Sequence, residues 1–124
     1  MGNGRVDGWM LDEQARAELL ERFWPRYGRI VADHVTFKPG PGMEQRPEAE
    51  ECLLVGRADD GEGVEAMVVS IGGSTQRPDG STWHITWSLG ESRHARESND
   101  VIAAHGWQAF PEALRVPLRP ASWS

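Results

Sequence analysis

The sequence predicts a single α+β domain over residues 1–124, built mainly from antiparallel strands. Three observations point to it. The length of 124 residues suits one hydrophobic core rather than two. Apolar residues alternate with polar ones in several short runs bounded by turn residues, which is the strand period. The order helix, strand, hairpin, strand, helix, strand has too few crossovers for a doubly wound parallel sheet and too many helices for a sandwich.

Leu11 to Trp24 reads as an amphipathic helix, with Leu20, Phe23, Trp24 and Tyr27 forming an apolar stripe read as core and Pro25 ending the element. Arg29 to Phe37 reads as one strand. Val31, Val35 and Phe37 point one way; Ile30, Ala32, His34 and Thr36 point the other. Lys38-Pro39-Gly40-Pro41-Gly42 stops it and opens a mobile polar loop running to Glu51. Glu51 to Arg57 and Val64 to Ile71 are two strands joined across Asp59–Gly63, whose Asp-Gly step is a hairpin signal. A second loop, Gly72 to Ser81, contains Pro78-Asp79-Gly80. Trp83 to Leu89 alternates most cleanly, with Trp83, Ile85, Trp87 and Leu89 on a core face and His84, Thr86 and Ser88 on a polar one. Ser98 is expected to cap a short helix from Asn99 to about His105 that buries Val101, Ile102 and Trp107. Leu114 to Leu118 is a short last strand, and Pro120 to Ser124 a tail.

The net charge of −6 and pI near 5.2 argue against tracking along duplex DNA or RNA, which requires many phosphates to be neutralised at once. A small anion needs only a local cluster of donors. Lys38, Arg57, Arg77, Arg93 and Arg96 lie in segments able to line one cleft, although each taken singly reads as a solvated surface charge. No apolar run approaches a membrane span, and Met1 to Asp7 lacks the apolar stretch and cleavage site of a secretory signal, so a cytoplasmic location without membrane partners is expected. With Cys52 as the only cysteine, no intramolecular disulfide forms and a cysteine-based zinc site is excluded.

Two of the four histidines head the same triplet, His34-Val35-Thr36 and His84-Ile85-Thr86. On a strand, residues i and i+2 share a face, so each triplet presents an imidazole and a hydroxyl together while the aliphatic residue anchors the strand from behind. A pair of imidazoles can accept and donate protons near neutral pH, which is what opening a cyclic phosphate requires. The threonine hydroxyls can donate to the non-bridging oxygens. Either histidine alone reads more simply as a core or surface residue; the repetition singles them out. His94 and His105 lack the triplet, and strand parity sends Asp33 to the opposite face. The tryptophans read mostly as core, with Trp83 and Trp87 opposite the histidines.

The paired triplets resemble the HxT/S signature of the two-histidine (2H) phosphoesterases, which include LigT-type RNA 2',3'-cyclic phosphodiesterases and the cyclic-phosphodiesterase domains of plant and fungal tRNA ligases. Trp83-His-Ile-Thr-Trp-Ser-Leu-Gly followed by Ser98-Asn99 is the most similar stretch. The resemblance implies a compact bilobal fold with mainly antiparallel sheets, flanking helices and one triplet per lobe. It further implies catalytic roles for His34, Thr36, His84 and Thr86, with His34 as acid and His84 as base, and no cofactor or metal. The implied activity is metal-independent cleavage of a 2',3'-cyclic phosphate at an RNA end, or of a small cyclic nucleotide, by a monomer engaged in RNA processing. Fifty residues separate His34 from His84, a shorter interval than in typical members, so trimmed lobes are expected. The alternatives are a catalytically weak nucleotide- or RNA-end-binding module of the same fold, and a histidine-based metal site with carboxylate ligands, which would leave the threonines without a role.

Overall fold

The computed structural model describes residues 6–47 and 51–123. In chain order its elements are β1 (Val6–Leu11), α1 (Glu13–Arg22), β2 (Arg29–Ile30), β3 (His34–Thr36), β4 (Cys52–Asp59), β5 (Val64–Ile71), β6 (His84–Leu89), α2 (Glu97–His105), β7 (Gln108–Arg115) and β8 (Leu118–Trp123). The strands pair antiparallel in two sheets, one ordered β3-β1-β8 and the other β2-β6-β5-β4-β7, giving a mixed α+β architecture.

Alternation explains the core. Trp9 and Leu11 of β1, Val35 of β3 and Phe37 face inward from the small sheet; Leu54, Met67, Val69, Ile85 and Trp87 face them from the large one, with Trp83 just before β6. Trp9, Phe37 and Trp83 form an aromatic cluster across the join, with Trp9 and Trp83 edge to face at 5.5 Å. Leu19, Leu20 and Phe23 of the α1 segment close this core. The opposite face of the large sheet is covered by α2, whose Ile102 packs on Ala58, Ala66 and Val68. His84, Thr86 and Ser88 are buried rather than lying on an open polar face: Thr86 meets Ser98 of α2, Ser88 meets Glu65, and His84 lines a cavity.

Several sequence-based expectations are corrected. The segment from Arg29 to Phe37 is not one strand. Ala32 has φ 46° and breaks it, so that β2 pairs with β6 while β3 pairs with β1. The kink is held by Arg16 of α1, which donates to the carbonyls of Val31 and Ala32. It also resets parity: Ala32 enters the core beside Val35, and Ile30 is exposed. Helix α1 ends at Arg22, so Trp24 leaves the helical period and is 78% exposed. Trp107 is also exposed: Gly106 turns the chain at φ 70°, and the indole lies over Gly56, where a side chain would collide with it. The loop read from Lys38 to Glu51 has residues 48–50 outside the described part.

Strands β1, β7 and β8 exceed what the sequence led us to expect. In β1, Gly8 lies on the face opposite Trp9 and Leu11 and is required there because a β-carbon would lie 2.2 Å from the Val35 carbonyl oxygen and 2.9 Å from the Trp123 ring. The outer strands β7 and β8 carry Pro111 and Pro120, tolerated at sheet edges where a missing N–H breaks no ladder.

A buried carboxylate braces the large sheet. Glu65 is fully buried in β5; it accepts from the Ser88 hydroxyl at 2.6 Å and the Arg26 backbone N–H at 3.0 Å, and the Arg57 guanidinium lies 3.2 Å from its other oxygen. Removing one partner of such a pair leaves the other charge uncompensated in the interior. Glu65→Ala is expected to cost about 3–5 kcal/mol, measured as a lower urea midpoint with an unchanged slope.

Candidate active site

β3 is the edge of the small sheet and packs beside β6 of the large one. On β3, His34 and Thr36 pair with Met10 and Gly8 of β1; on β6, His84 and Thr86 pair with Val68 and Ala66 of β5. Because Val35 and Ile85 turn into the core, both triplets present their polar residues on the other side. All four residues line one cavity of about 250 Å³, which the N-terminal end of α2 closes with Ala95, Arg96 and Asn99. Two histidine triplets on different sheets are thus brought together.

Each side chain is positioned by its surroundings. The His84 ring is 8% exposed, and its Nδ1 lies 2.9 Å from the Thr82 carbonyl. A carbonyl can only accept, so Nδ1 carries the hydrogen and the neutral ring keeps its lone pair on Nε2. Thr86 Oγ1 is 2.9 Å from Ser98 Oγ and 3.4 Å from the Ala95 carbonyl. Ser98 corrects another expectation: it does not cap α2, which has Arg96 at its N-cap and no side-chain capping bond, but is buried in the first turn against Thr86. His34 meets Trp123 of β8 edge to face, ring centres 4.7 Å apart, in space kept clear by Gly8.

Arg77 governs the electrostatics. Its side chain is 2% exposed yet lines the cavity. It donates to the Ser81 hydroxyl at 2.7 Å, the Asn99 side-chain carbonyl at 2.8 Å and the Thr36 backbone carbonyl at 3.2 Å, with Asp79 3.4 Å from Nε. The turn through Pro78-Asp79-Gly80 supplies two of these partners, Asp79 and Ser81, locally, with the Arg77 N–H closing it on the Ser81 carbonyl at 2.7 Å. Of the five cations considered from sequence, Lys38, Arg77 and Arg96 line the cavity. Arg57 is instead paired with Glu65, and Arg93 with Asp60 and Glu97. Among the described residues lining the cavity none is a carboxylate. In a chain of net charge −6, that makes a locally cationic basin.

The same environment sets the histidines. Burial pushes His84 down to about 4, reinforced by the nearby positive charge of Arg77 and by His34, against the opposing hydrogen bond to Thr82. Burial also lowers His34, partly offset by Asp33, whose carboxylate is turned away toward Arg16. Burial thus favours the neutral form of both imidazoles at pH 7, and a nearby anion acts in the opposite direction on each. His94 and His105 lie outside the lining. Among the described residues no group of three or more His, Cys, Asp or Glu side chains is arranged to hold a metal ion. Sequence reasoning missed Trp123 and the role of Ser98; for the site it named Arg77 only as one of five cations and Asn99 only within the resembling stretch.

No family model, curated protein or solved structure matches the chain. Also, among the described residues no helix is long and apolar enough to cross a membrane.

The depressed histidines link stability to pH. Between the folded value of about 4 for His84 and the ordinary 6.5, the unfolded chain binds the proton and the folded one does not. Stability then rises with pH through that window and is lost on acidification, by on the order of 3 kcal/mol when complete. Urea midpoints measured from pH 7 to pH 4 should fall steeply in the native protein and less steeply in His84→Gln.

Proposed function

We propose that the protein is a metal-independent acid/base phosphodiesterase that opens a cyclic phosphodiester. Within that class we assign it to the 2H phosphoesterases, with the two sheets serving as the two lobes of that fold. The observation that carries this reading is the convergence of His34, Thr36, His84 and Thr86, from separate sheets, on one cationic cavity without a carboxylate in its lining.

The chemistry follows from the protonation states. Nε2 of His84 has the free lone pair, so it accepts a proton from water as the water oxygen bonds to phosphorus. The bond from phosphorus to the ring oxygen breaks, and that oxygen takes a proton from His34, which the bound anion has recharged. The product is a phosphomonoester. Thr36 donates to one non-bridging oxygen. Thr86 donates to another when Ser98 supplies the hydrogen in their mutual bond. Arg77, fixed by four partners, contributes a positive field that needs no reorganisation as charge develops. The substrate is a 2',3'-cyclic phosphate at an RNA end or on a small nucleotide.

With a 2',3'-cyclic-phosphate-ended oligonucleotide, His34→Ala and His84→Gln are each expected to lower kcat about a hundredfold or more, with near-UV spectra unchanged. Thr36→Ala should lose less. Native-like rates in both folded histidine variants would overturn the assignment, and tight binding of a nucleoside monophosphate without turnover by the native protein would favour a binding module of the same fold.

Turnover should persist in EDTA, because the lining has two imidazoles and no carboxylate to complete a metal's ligand set. Abolition by EDTA, with recovery on adding a single divalent metal, would point instead to a metal site.

A further inference from the structure

Two cavities meet at Lys38. The two-histidine cavity and a larger one of about 600 Å³ share Val6 and Lys38 as walls; the larger one continues along Asp7, Pro39, Glu44, Gln45 and Arg46. A ligand held at the histidines can therefore extend past Lys38 without leaving the protein surface. The chain stays extended beyond β3, since the Phe37 N–H still donates to the Asp7 carbonyl at 2.9 Å. Lys38 thus stands two residues past Thr36, on the same side and with its backbone roughly 6–7 Å further along. That step is similar to the one between successive phosphates of an extended nucleic-acid strand.

Charge says what passes Lys38. A cyclic phosphodiester carries one negative charge. Arg77 already has Asp79 beside it, whereas among the described residues Lys38 and Arg96 take part in no ion pair. One phosphate leaves cationic charge over in the cavity. Beyond Lys38 the larger cavity has no such surplus, because its lining adds Asp7 and Glu44 against Arg46 alone, and Arg46 already lies 3.9 Å from Asp7. Its lining suits an uncharged sugar and base rather than another phosphate.

We propose that the ligand carries a second phosphate, one nucleotide along from the reacting one, held by Lys38 where the two cavities join. The inference rests on the phosphodiesterase reading for the first phosphate. The second phosphate is either the 5'-monoester of a single nucleotide or the internal diester of a longer strand, and the larger cavity receives the next nucleoside of that strand.

Three substrates separate these cases: a nucleoside 2',3'-cyclic phosphate, the same compound bearing a 5'-phosphate, and a dinucleotide ending in the cyclic phosphate. The second and third are expected to have KM lower by about tenfold than the first, as for one charge-assisted contact. In Lys38→Gln the three should converge, and Lys38→Arg should restore the difference. A further gain for the dinucleotide over the 5'-phosphate compound identifies the internal diester; equal values identify the monoester. Equal KM for all three in the native protein, or a preference that survives Lys38→Gln, overturns the inference. Calorimetry with a nucleoside 3',5'-bisphosphate and a nucleoside 3'-monophosphate tests it without turnover. A bisphosphate preference that depends on Lys38 upholds the second site even if no substrate is cleaved, an outcome that would sink only the enzymatic reading; no preference overturns the second site.

Discussion

The guanidinium of Arg77 is the point on which the site depends. It ties the Thr36 carbonyl of the small sheet to Asn99 of α2 and to the 77–81 turn, three segments that have no ladder in common. An arginine cannot shed its proton to escape burial, so the fold must supply acceptors, and it does so with two side-chain oxygens, one carbonyl and the nearby Asp79. Lysine at this position would have no planar fork to reach partners in three directions at once.

That arrangement has electrostatic consequences. Burial lowers both imidazoles, with the fixed charge of Arg77 adding to the effect at His84, and that same charge attracts an anion whose arrival reverses the shift. The proposed acid is thereby armed by its own substrate. The buried tautomer of His84 adds direction, because the Thr82 carbonyl fixes the hydrogen on the far nitrogen and leaves the near one basic.

Much of the fold could be read where local pattern and tertiary environment agree. The Val64–Ile71 and Trp83–Leu89 runs, the hairpin across Asp59–Gly63 and the second helix emerged close to their expected limits. The strand parity of His34 and Thr36 was legible because Val35 and Phe37 had one core to face. It failed upstream of Ala32, where the chain passes from one sheet to the other, a long-range demand that leaves no period in the sequence. In Val6–Leu11 the apolar face has only Trp9 and Leu11, with Asp7 at its next position, and Leu11 also fitted the start of the helical pattern that follows. Trp123 was hidden for a different reason: its place beside His34 is set by pairing with Val6, at the opposite end of the chain. Ser98 has the chemistry of a cap, and only the position of Thr86 across from it diverts the hydroxyl.

The edge strands have a consequence for self-association. The four outer strands are β3 and β8 of the small sheet and β2 and β7 of the large one. Two of them are only three and two residues long, and the other two are interrupted by Pro120 and Pro111. None offers a long unbroken row of backbone donors to a second chain. A molecule that exposes Trp24, Ile30 and Trp107 to water would otherwise combine sticky side chains with open β-edges, the pairing from which ordered aggregates grow.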